Sequence, residues 1–236
     1  MDRRTELAEN LRQVNRDIEA ACQKYGRDRN EVRLIVVTKT WPARDVELLA
    51  TLGVSDVGEN RDQEAKPKHS EVTADLTWHA IGQLQTNKAK SVATWADVVH
   101  SVDRVDLVNA LAKAVAVRDK PLRCLIQVNL DPKSESADAF EHRGGADESD
   151  VLELAKLISS TPNLQLAGVM GVAPLVGDPE PAFMRLREIS AKLNSVYPDA
   201  SWISAGMSGD YELAIKHGAT HLRIGSSILG HRAYKG

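Results

Sequence analysis

Val32-Arg33-Leu34-Ile35-Val36-Val37-Thr38-Lys39 is an apolar run closed by a lysine, and apolar residues at helical spacing follow it from Ala43 to Leu52. A short apolar run of this kind predicts a buried strand, and the strand-then-helix order recurs along the rest of the chain. The predicted strands are Arg33–Thr38, Asp56–Gly58, Thr77–Ile81, Val98–Ser101, Arg123–Asn129, Gln165–Met170, Trp202–Ser204 and His221–Ile224. The predicted helices are Thr5–Tyr25, Ala43–Leu52, Asp62–Thr73, Thr86–Trp95, Asp103–Val117, Glu148–Ser159, Pro181–Val196 and Tyr211–His217.

Strands that alternate with helices predict a parallel sheet with right-handed crossovers. So many units within 236 residues favour an α/β fold of one domain, residues 1–236, built as a closed (β/α)8 TIM-type barrel with an extra N-terminal helix. An open doubly wound sheet is the alternative, but no Gly-x-Gly-x-x-Gly follows the first strand. The stretch Asp131–Asp147 is rich in glycine, serine and charge, so we predict a long mobile loop there and hypothesise that it acts as a lid.

The composition excludes several classes of function. The formal net charge is -3 and the chain has no basic block, so nothing recommends a nucleic-acid partner. No apolar stretch is long enough to span a membrane, and the N-terminus leads into an amphipathic helix rather than a signal core. The two cysteines, Cys22 and Cys124, fit reduced thiols, and no Cys/His cluster has metal-ligand spacing. We therefore expect a cytoplasmic protein without a structural metal.

Lys39 is the first candidate functional residue, because it stands where a buried strand leaves the core. A lysine is costly to bury in an apolar sheet, but at the end of the strand its amine would be partly desolvated and held still. Both conditions suit a lysine that forms a Schiff base with an aldehyde. The alternative is a surface lysine that merely ends a strand.

Two glycine- and serine-rich turns follow the last two predicted strands and could hold a phosphate. They read Ser204-Ala205-Gly206-Met207-Ser208-Gly209-Asp210 and Gly225-Ser226-Ser227. Barrels of this type often bind phosphate with these two loops, where glycines let backbone N–H groups approach and Ser208 and Ser226 add hydroxyl donors. Met207 and Ser208 are predicted to open the helix that runs to His217, which would point its positive end at an anion. Alternatively, Ser208 caps a helix and Gly225 is a turn glycine without a ligand.

A Schiff-base lysine and a phosphate cradle at one barrel mouth predict pyridoxal 5'-phosphate (PLP), a cofactor that needs both. Arg223, in the last strand, would donate a hydrogen bond to the pyridine nitrogen and keep it unprotonated, since arginine does not readily give up a proton. That arrangement makes a weaker electron sink than a carboxylate would, and it suits tight binding or restrained proton exchange. The alternative for Arg223 is an ion pair with a neighbouring carboxylate.

Motifs at the predicted strand ends resemble one known family. They are Val37-Thr38-Lys39-Thr40, Gly58-Glu59-Asn60, Trp78-His79-Ala80-Ile81-Gly82-Gln83-Leu84-Gln85-Thr86-Asn87-Lys88, Gly206-Met207-Ser208 and Arg223-Ile224-Gly225-Ser226. Together they cover nearly the whole chain and resemble the pyridoxal phosphate homeostasis proteins, single-domain relatives of the alanine racemase barrel.

The resemblance implies a set of cofactor-binding residues with PLP bound as an internal aldimine on Lys39. In that set Met207, Ser208, Gly225 and Ser226 form the phosphate turns, Arg223 meets the pyridine nitrogen, Asn60, Ile81 and Met170 line the ring pocket, and Ser204 lies beside it. The resemblance also implies that the protein balances free PLP and amino-acid pools by binding and releasing the cofactor, without established catalytic turnover. Apo-enzymes that receive PLP are candidate partners, and a monomer or weak homodimer is expected.

Two enzyme classes stand as alternatives. A PLP-dependent amino-acid racemase needs a second acid/base, usually a tyrosine from a second domain that we expect to be absent because the chain stops soon after the last strand. Tyr211 is the candidate here, although packing the start of a helix is its simpler role. A Schiff-base aldolase without cofactor would use Glu59, yet that carboxylate is more simply paired with Arg61. His79 and His100 lie in strands and are expected to be hydrogen-bonded core residues.

Overall fold

The computed structural model describes residues 2–131, 144–174 and 176–230. Its strands are β1 (Arg33–Val37), β2 (Asp56–Glu59), β3 (Thr77–Ala80), β4 (Val98–Val102), β5 (Leu122–Gln127), β6 (Leu164–Met170), β7 (Trp202–Ser204) and β8 (His221–Ile224). They form a closed parallel barrel in chain order, and β8 pairs with β1. The predicted (β/α)8 fold is therefore confirmed. Residues 132–143 of the predicted loop lie outside the described residues, as does the tail 231–236.

Helices surround this barrel. Within the described ranges they are α1 (Arg3–Lys24), α2 (Ala43–Thr51), α3 (Asp62–Glu71), α4 (Ala89–Val92), α5 (Val105–Val115), α6 (Val151–Ser160), α7 (Glu180–Val196), α8 (Tyr211–Lys216) and α9 (Ser226–Leu229). Helix α1 is the extra N-terminal helix that the sequence predicts, and Asp2 caps it by accepting a hydrogen bond from the Thr5 N–H. No helix among these is long and apolar enough to cross a lipid bilayer.

Two helical predictions differ from the structure, and one short helix was not predicted. The pattern from Thr86 to Trp95 is a 3-10 turn followed by the short α4, because the Thr94 hydroxyl bonds the Ser91 carbonyl at 2.7 Å and competes with further helix. Helix α8 begins at Tyr211, so Met207 and Ser208 do not open it. Helix α9 was not predicted, since a single turn is too short to show a period.

The inside of the barrel is divided between an apolar part and a polar part. The apolar part is a small cluster of Val98, Leu125, Ala167 and Met170, separate from the large core between strands and helices. The polar part is shown by a hydrogen bond from β4 to β7, strands that are not neighbours and can meet only across the interior. A closed barrel of this kind is filled by side chains, so its polar residues are buried and must find partners within it.

Helix α1 is tied to the helix that follows the last strand. Arg3 Nη2 donates to the Leu229 carbonyl at 3.0 Å, and Asn10 Nδ2 donates to the Ile228 carbonyl at 2.9 Å. Both carbonyls belong to α9 and, at the end of a helix, lack an intrahelical partner. The N-terminal helix therefore fixes the element that begins at Ser226, one of the predicted phosphate-binding residues.

Candidate active site at the carboxyl ends of the strands

Lys39 lies just beyond β1, in a turn that continues through Thr40 with a φ of 68°. The Thr38 hydroxyl bonds Glu59, which Lys68 of α3 contacts, and β1 ends at Val37, so the alternation of the strand does not extend to Lys39. The side chain of Lys39 is exposed, whereas the sequence predicted partial burial. The reason is that the strand ends at Val37 and the turn carries the lysine out of the sheet.

The residue before Lys39 is fixed by a buried ion pair. Thr38 Oγ1 donates to Glu59 Oε1 at 2.6 Å, and Lys68 Nζ donates to the Thr38 carbonyl at 2.9 Å. Lys68 Nζ also lies 2.5 Å from Glu59 Oε1, and both charged side chains are almost completely buried. Lys68 belongs to α3, so this ion pair ties the end of β1 to that helix.

The residue after Lys39 is fixed to the same helix. The Thr40 N–H donates to the carboxylate of Glu64, and Lys68 Nζ binds that carboxylate at 2.9 Å. Both neighbours of Lys39 are therefore bonded to one ion cluster of β2 and α3, which we call the Lys68 clamp (Glu59, Glu64 and Lys68). Such a clamp fixes the backbone of the lysine and leaves its amine free to move.

Glu59 has a partner other than the one predicted. The sequence pointed to Arg61, but Arg61 is exposed and Glu59 is paired with Lys68. Burial raises the pKa of the Glu59 carboxyl, and the nearby Lys68 ammonium opposes that shift. Its Oε2 atom is buried with no hydrogen-bond partner among the described residues. Glu59 is thus committed to the clamp, which weakens the aldolase alternative.

Arg223 is buried in the barrel, and no carboxylate in the part of the chain that the structure describes forms the ion pair that was the alternative for it. Its Nη1 donates to Ser204 Oγ at 2.7 Å and its Nη2 donates to the Gly171 carbonyl at 3.0 Å. Burial lowers the pKa of Arg223 to about 10, and the more distant Asp210 opposes this. The side chain remains a cation at neutral pH, and its other N–H donors are available to a ligand.

Ser204 leads into a chain of buried polar side chains that sequence reasoning missed. His100 Nδ1 lies 2.9 Å from Ser204 Oγ, and His100 Nε2 lies 2.9 Å from His79 Nδ1. His79 Nε2 in turn lies 3.0 Å from Asp56 Oδ1. The prediction of hydrogen-bonded core histidines was right, but it treated each histidine as isolated. A signal existed, because His79 and His100 occupy neighbouring strands near their middle.

The two predicted phosphate turns meet at their serines. Ser226 Oγ donates to Ser208 Oγ at 3.1 Å. The turn after β7 is stabilised by Asp210, whose Oδ1 accepts the Met207 N–H at 2.6 Å. This bond forms a turn before α8 and explains why Met207 and Ser208 do not open the helix. Ser208 therefore lies in a loop and Ser226 is the first residue of α9, and both residues are half-exposed at the mouth.

Glycine is required at one position in each of these turns. Gly206 has a φ of 88°, and a Cβ there would lie 2.7 Å from Ala214 Cβ. A Cβ on Gly225 would lie 3.0 Å from the Val37 carbonyl oxygen and 3.2 Å from Val37 Cβ. The phosphate turn of β8 is consequently packed against the end of β1, two residues before Lys39.

The remaining predicted residues lie around the same mouth. Asn60 is exposed after β2, and its carbonyl oxygen would be 2.3 Å from a Cβ on Gly82, so the loops after β2 and β3 are in contact. Ile81 is half-buried after β3, and Met170 is buried in the apolar interior beside Ser204, its register partner. Among the described residues, Lys39 and Asn60 form no hydrogen bond to the other predicted site residues. Beside Asn60 a polar cleft of about 640 Å³ opens between the loops after β2, β3 and β4.

Comparison with known proteins places the chain in a family. A model of the alanine racemase N-terminal domain matches residues 7–233. The pyridoxal phosphate homeostasis protein of Corynebacterium glutamicum is 41% identical over 222 residues, which cover 91% of this chain and 97% of the relative. The protein of the same name from Mycobacterium leprae is 37% identical over 245 residues, covering 97% and 94%. This chain belongs to the pyridoxal phosphate homeostasis protein family.

Solved structures agree with membership of the pyridoxal phosphate homeostasis protein family. PipY of Synechococcus elongatus, solved with PLP bound, is 30% identical to this chain with a TM-score of 0.80. The match covers 95% of this chain and 100% of PipY. Alanine racemase of Corynebacterium glutamicum is 12% identical with a TM-score of 0.71, covering 99% of this chain and 62% of the racemase. At that identity the likeness to the racemase shows a shared fold only. The family predicted from the motifs is confirmed, and the roles of individual residues stay predictions.

Proposed function

We propose that this chain binds PLP through a Schiff base on Lys39 and serves PLP homeostasis by holding and releasing the cofactor. The observation that carries the proposal is the closure of β8 on β1, which packs the Gly225 turn against Val37. A lysine amine and a pair of serine hydroxyls thereby share one barrel mouth above a buried arginine. PLP has an aldehyde, a phosphate and a pyridine nitrogen, so its three polar groups correspond to these three kinds of donor.

The residues present fit such a ligand. The hydroxyls of Ser208 and Ser226 are 3.1 Å apart, close enough to share one anion, and a larger residue at Gly225 would press against Val37 and displace the turn that leads into Ser226. Arg223 is held by two hydrogen bonds and keeps further N–H donors for a ring nitrogen. PLP bound here would supply an electrophilic aldehyde, while the protein's own groups bind the phosphate, orient the ring and present the amine.

Holding and releasing, rather than turnover, is supported by the exposure of Lys39. Its side chain is open to solvent while the clamp fixes only the backbone on either side. An imine that water or another amine can reach is readily exchanged, whereas catalysis by PLP enzymes benefits from a closed, water-poor site. Apo-enzymes that need PLP are the partners this proposal implies.

The proposal includes the domain organisation of the chain and the compartment in which it works. The described residues build one barrel around one site, which supports a single domain over residues 1–236. Cys22 and Cys124 are both buried and free, which fits a reducing compartment such as the cytoplasm.

The test is the absorbance spectrum of the purified protein after incubation with PLP, followed by borohydride reduction and peptide mapping. We expect a yellow protein in which reduction fixes the cofactor on Lys39. Lys39→Ala should stay colourless, whereas Lys66→Ala, which removes an exposed lysine of α3, should bind as the unchanged protein does. A protein that takes up no PLP, or a label that persists in Lys39→Ala, contradicts the proposal. Rapid racemisation of alanine or serine that Lys39→Ala abolishes would replace the carrier with the racemase.

A further inference from the structure

The buried chain from Arg223 to Asp56 runs across the whole interior of the barrel. It links four strands and the end of a fifth, through contacts of 2.7, 2.9, 2.9 and 3.0 Å. Its five members are at most 5% exposed, and the three in the middle are completely buried. These members are Arg223, Ser204, His100, His79 and Asp56, which we call the Arg223–Asp56 chain.

The two ends of the chain determine the direction of every hydrogen bond within it. A guanidinium only donates, so Ser204 Oγ accepts from Arg223 and its own proton is directed to His100 Nδ1. Burial keeps His100 neutral by lowering its pKa well below the ordinary value, so the ring proton is on Nε2 and is donated to His79 Nδ1. His79 then donates from Nε2 to the Asp56 carboxylate, which only accepts.

The opposite direction is disfavoured by the same contacts. It would require a proton on both nitrogens of His79, which adds a second cation to a barrel that already encloses Arg223. It would also make His100 Nδ1 a donor to Ser204 and leave the serine hydroxyl proton without an acceptor among the described residues. Asp56 is well suited to the acceptor end, because Ser55 and His79 both donate to it and lower its pKa despite burial.

The charge of Arg223 also needs compensation. Among the described residues no carboxylate forms an ion pair with it, although a buried cation without a counterion is costly. Asp56 is the anion at the far end of the chain. The rings of His100 and His79 lie between the charges, each with a donor on one side and an acceptor on the other, so that each bond strengthens the next.

We propose that Ser204, His100, His79 and Asp56 are positioning residues for Arg223, holding its guanidinium in one orientation through a one-directional chain of hydrogen bonds. The effect on PLP rests on the proposed function, because it assumes that Arg223 meets the pyridine nitrogen. The direction of the chain does not rest on it and belongs to the cofactor-free protein.

The first test is nitrogen-15 NMR of the histidine side chains in the cofactor-free protein at neutral pH. We expect His79 and His100 both to be neutral, with the proton on Nε2. An imidazolium at His79, or a proton on Nδ1 of either ring, would overturn the direction of the chain. This measurement uses the unchanged protein, so it does not depend on how a variant folds.

The second test interrupts the chain at its hydroxyl. Ser204→Ala should move the His100 Nδ1 resonance, speed the exchange of the Arg223 guanidinium protons and weaken PLP binding about tenfold, the loss expected for one hydrogen bond to a charged group. Ser204→Thr keeps a hydroxyl and should restore all three. Ser101→Ala is the matched control, since Ser101 is a completely buried serine of β4 whose hydroxyl has no partner among the described residues.

The outcomes separate this proposal from the proposed function. If the unchanged protein binds PLP but Ser204→Ala leaves the affinity and the Arg223 protons as they were, the positioning role is wrong and the function stands. If the protein binds no PLP while Ser204→Ala still shifts His100 and loosens Arg223, the function is wrong and the positioning role stands.

Discussion

At the scale of single residues, two lysines near the end of β1 have different roles. Lys39 is the residue of the proposed function, and Lys68 stabilises the fold around it. Lys39 is exposed, whereas Lys68 is buried and contacts two carboxylates and the Thr38 carbonyl. The sequence indicated the first because it ends a strand, but nothing in the helical pattern of α3 marks Lys68 as a buried residue. Its role depends on where β1 and β2 end relative to α3, which is a property of the packed structure.

Lys68→Met should lower the free energy of unfolding by about 3 kcal/mol, because it leaves Glu59 buried without its counterion. Adding Glu59→Gln to this variant should recover part of the loss. The measurement is urea unfolding followed by circular dichroism, with the exposed Lys66→Met on the same helix as control. Equal stabilities of Lys68→Met and Lys66→Met would show that the clamp contributes nothing.

Acid should destabilise the protein through buried neutral histidines. Burial lowers the pKa of His221 to about 3 and that of His100 well below the ordinary 6.5. Below pH 6.5 the unfolded chain therefore binds protons that the folded chain does not, so this stability is complete above that pH and is lost as the pH falls. For each pH unit by which the pH falls below that value, each histidine should lower the free energy of unfolding by about 1.4 kcal/mol.

The measurement is unfolding by urea between about pH 6.5 and about pH 5, above the range in which most carboxylates titrate. His221→Asn should reduce the slope of stability against pH by about 1.4 kcal/mol per unit, the share of one histidine. The difference between the two slopes isolates His221 from every other titrating group. Parallel slopes would mean that His221 is protonated in the folded state.

At the scale of elements, the most informative contact joins the first helix to the last. Asn10 and Arg3 of α1 donate to carbonyls of α9, and α9 begins at Ser226. Arg3 also binds Asp45 of α2 at 2.9 Å and lies 4.5 Å from the centre of the Trp41 ring, in the segment that follows Lys39. Helix α1 thus contacts and stabilises both the element that begins at Ser226 and the segment that follows Lys39.

Asn10→Ala should free the carbonyl of Ile228 and lower stability by about 1 kcal/mol, the usual contribution of one hydrogen bond. Hydrogen exchange should rise at the amides of α9 while those of β8 keep their protection. Gln13→Ala, an exposed change on the same helix, is the control. Unchanged exchange at α9 would show that α1 merely lies against it.

The helices and strands show most clearly how much of the fold could be predicted from the sequence. Periodicity predicted every strand to within two residues, and β7 and β8 to the residue, because short buried strands alternate with amphipathic helices. It also predicted that most candidate site residues follow the carboxyl ends of strands, which is where the structure has them, while their roles stay predictions. It missed α9, since a single turn has no period, and the expectation that Met207 and Ser208 open α8 was wrong because the bond from Met207 to Asp210 is local side-chain chemistry. The Arg223–Asp56 chain was missed because its central contact joins β4 to β7, which are distant in sequence and are not neighbours in the barrel.

At the scale of the whole molecule, the closure of the barrel determines where the site forms. The pairing of β1 with β8 sets Gly225 against Val37, and the turn has no room for a side chain. The residues that face each other there are separated by almost the entire chain. Closure and ligand binding are consequently expected to depend on the same contact.

Gly225→Ala should lower stability by about 1–3 kcal/mol, the usual cost of overpacking, because its Cβ would meet the Val37 carbonyl. It should also weaken PLP binding, since the turn must move away from β1. Gly209→Ala, in the other phosphate turn, is the matched control because a Cβ there would meet nothing within 4 Å. Calorimetry of both variants with and without PLP checks the prediction, and similar behaviour of the two would contradict it.

The closure of β8 on β1 also has a consequence for protein synthesis. A ribosome makes Lys39 early, but Arg223, Gly225 and Ser226 emerge only when the barrel is nearly finished. A chain interrupted before them carries the lysine of the proposed Schiff base without the groups proposed to hold the phosphate. On the proposed function, loading with cofactor must therefore follow completion of the barrel, and the yellow colour of a loaded molecule would report that its translation and folding have run to the end.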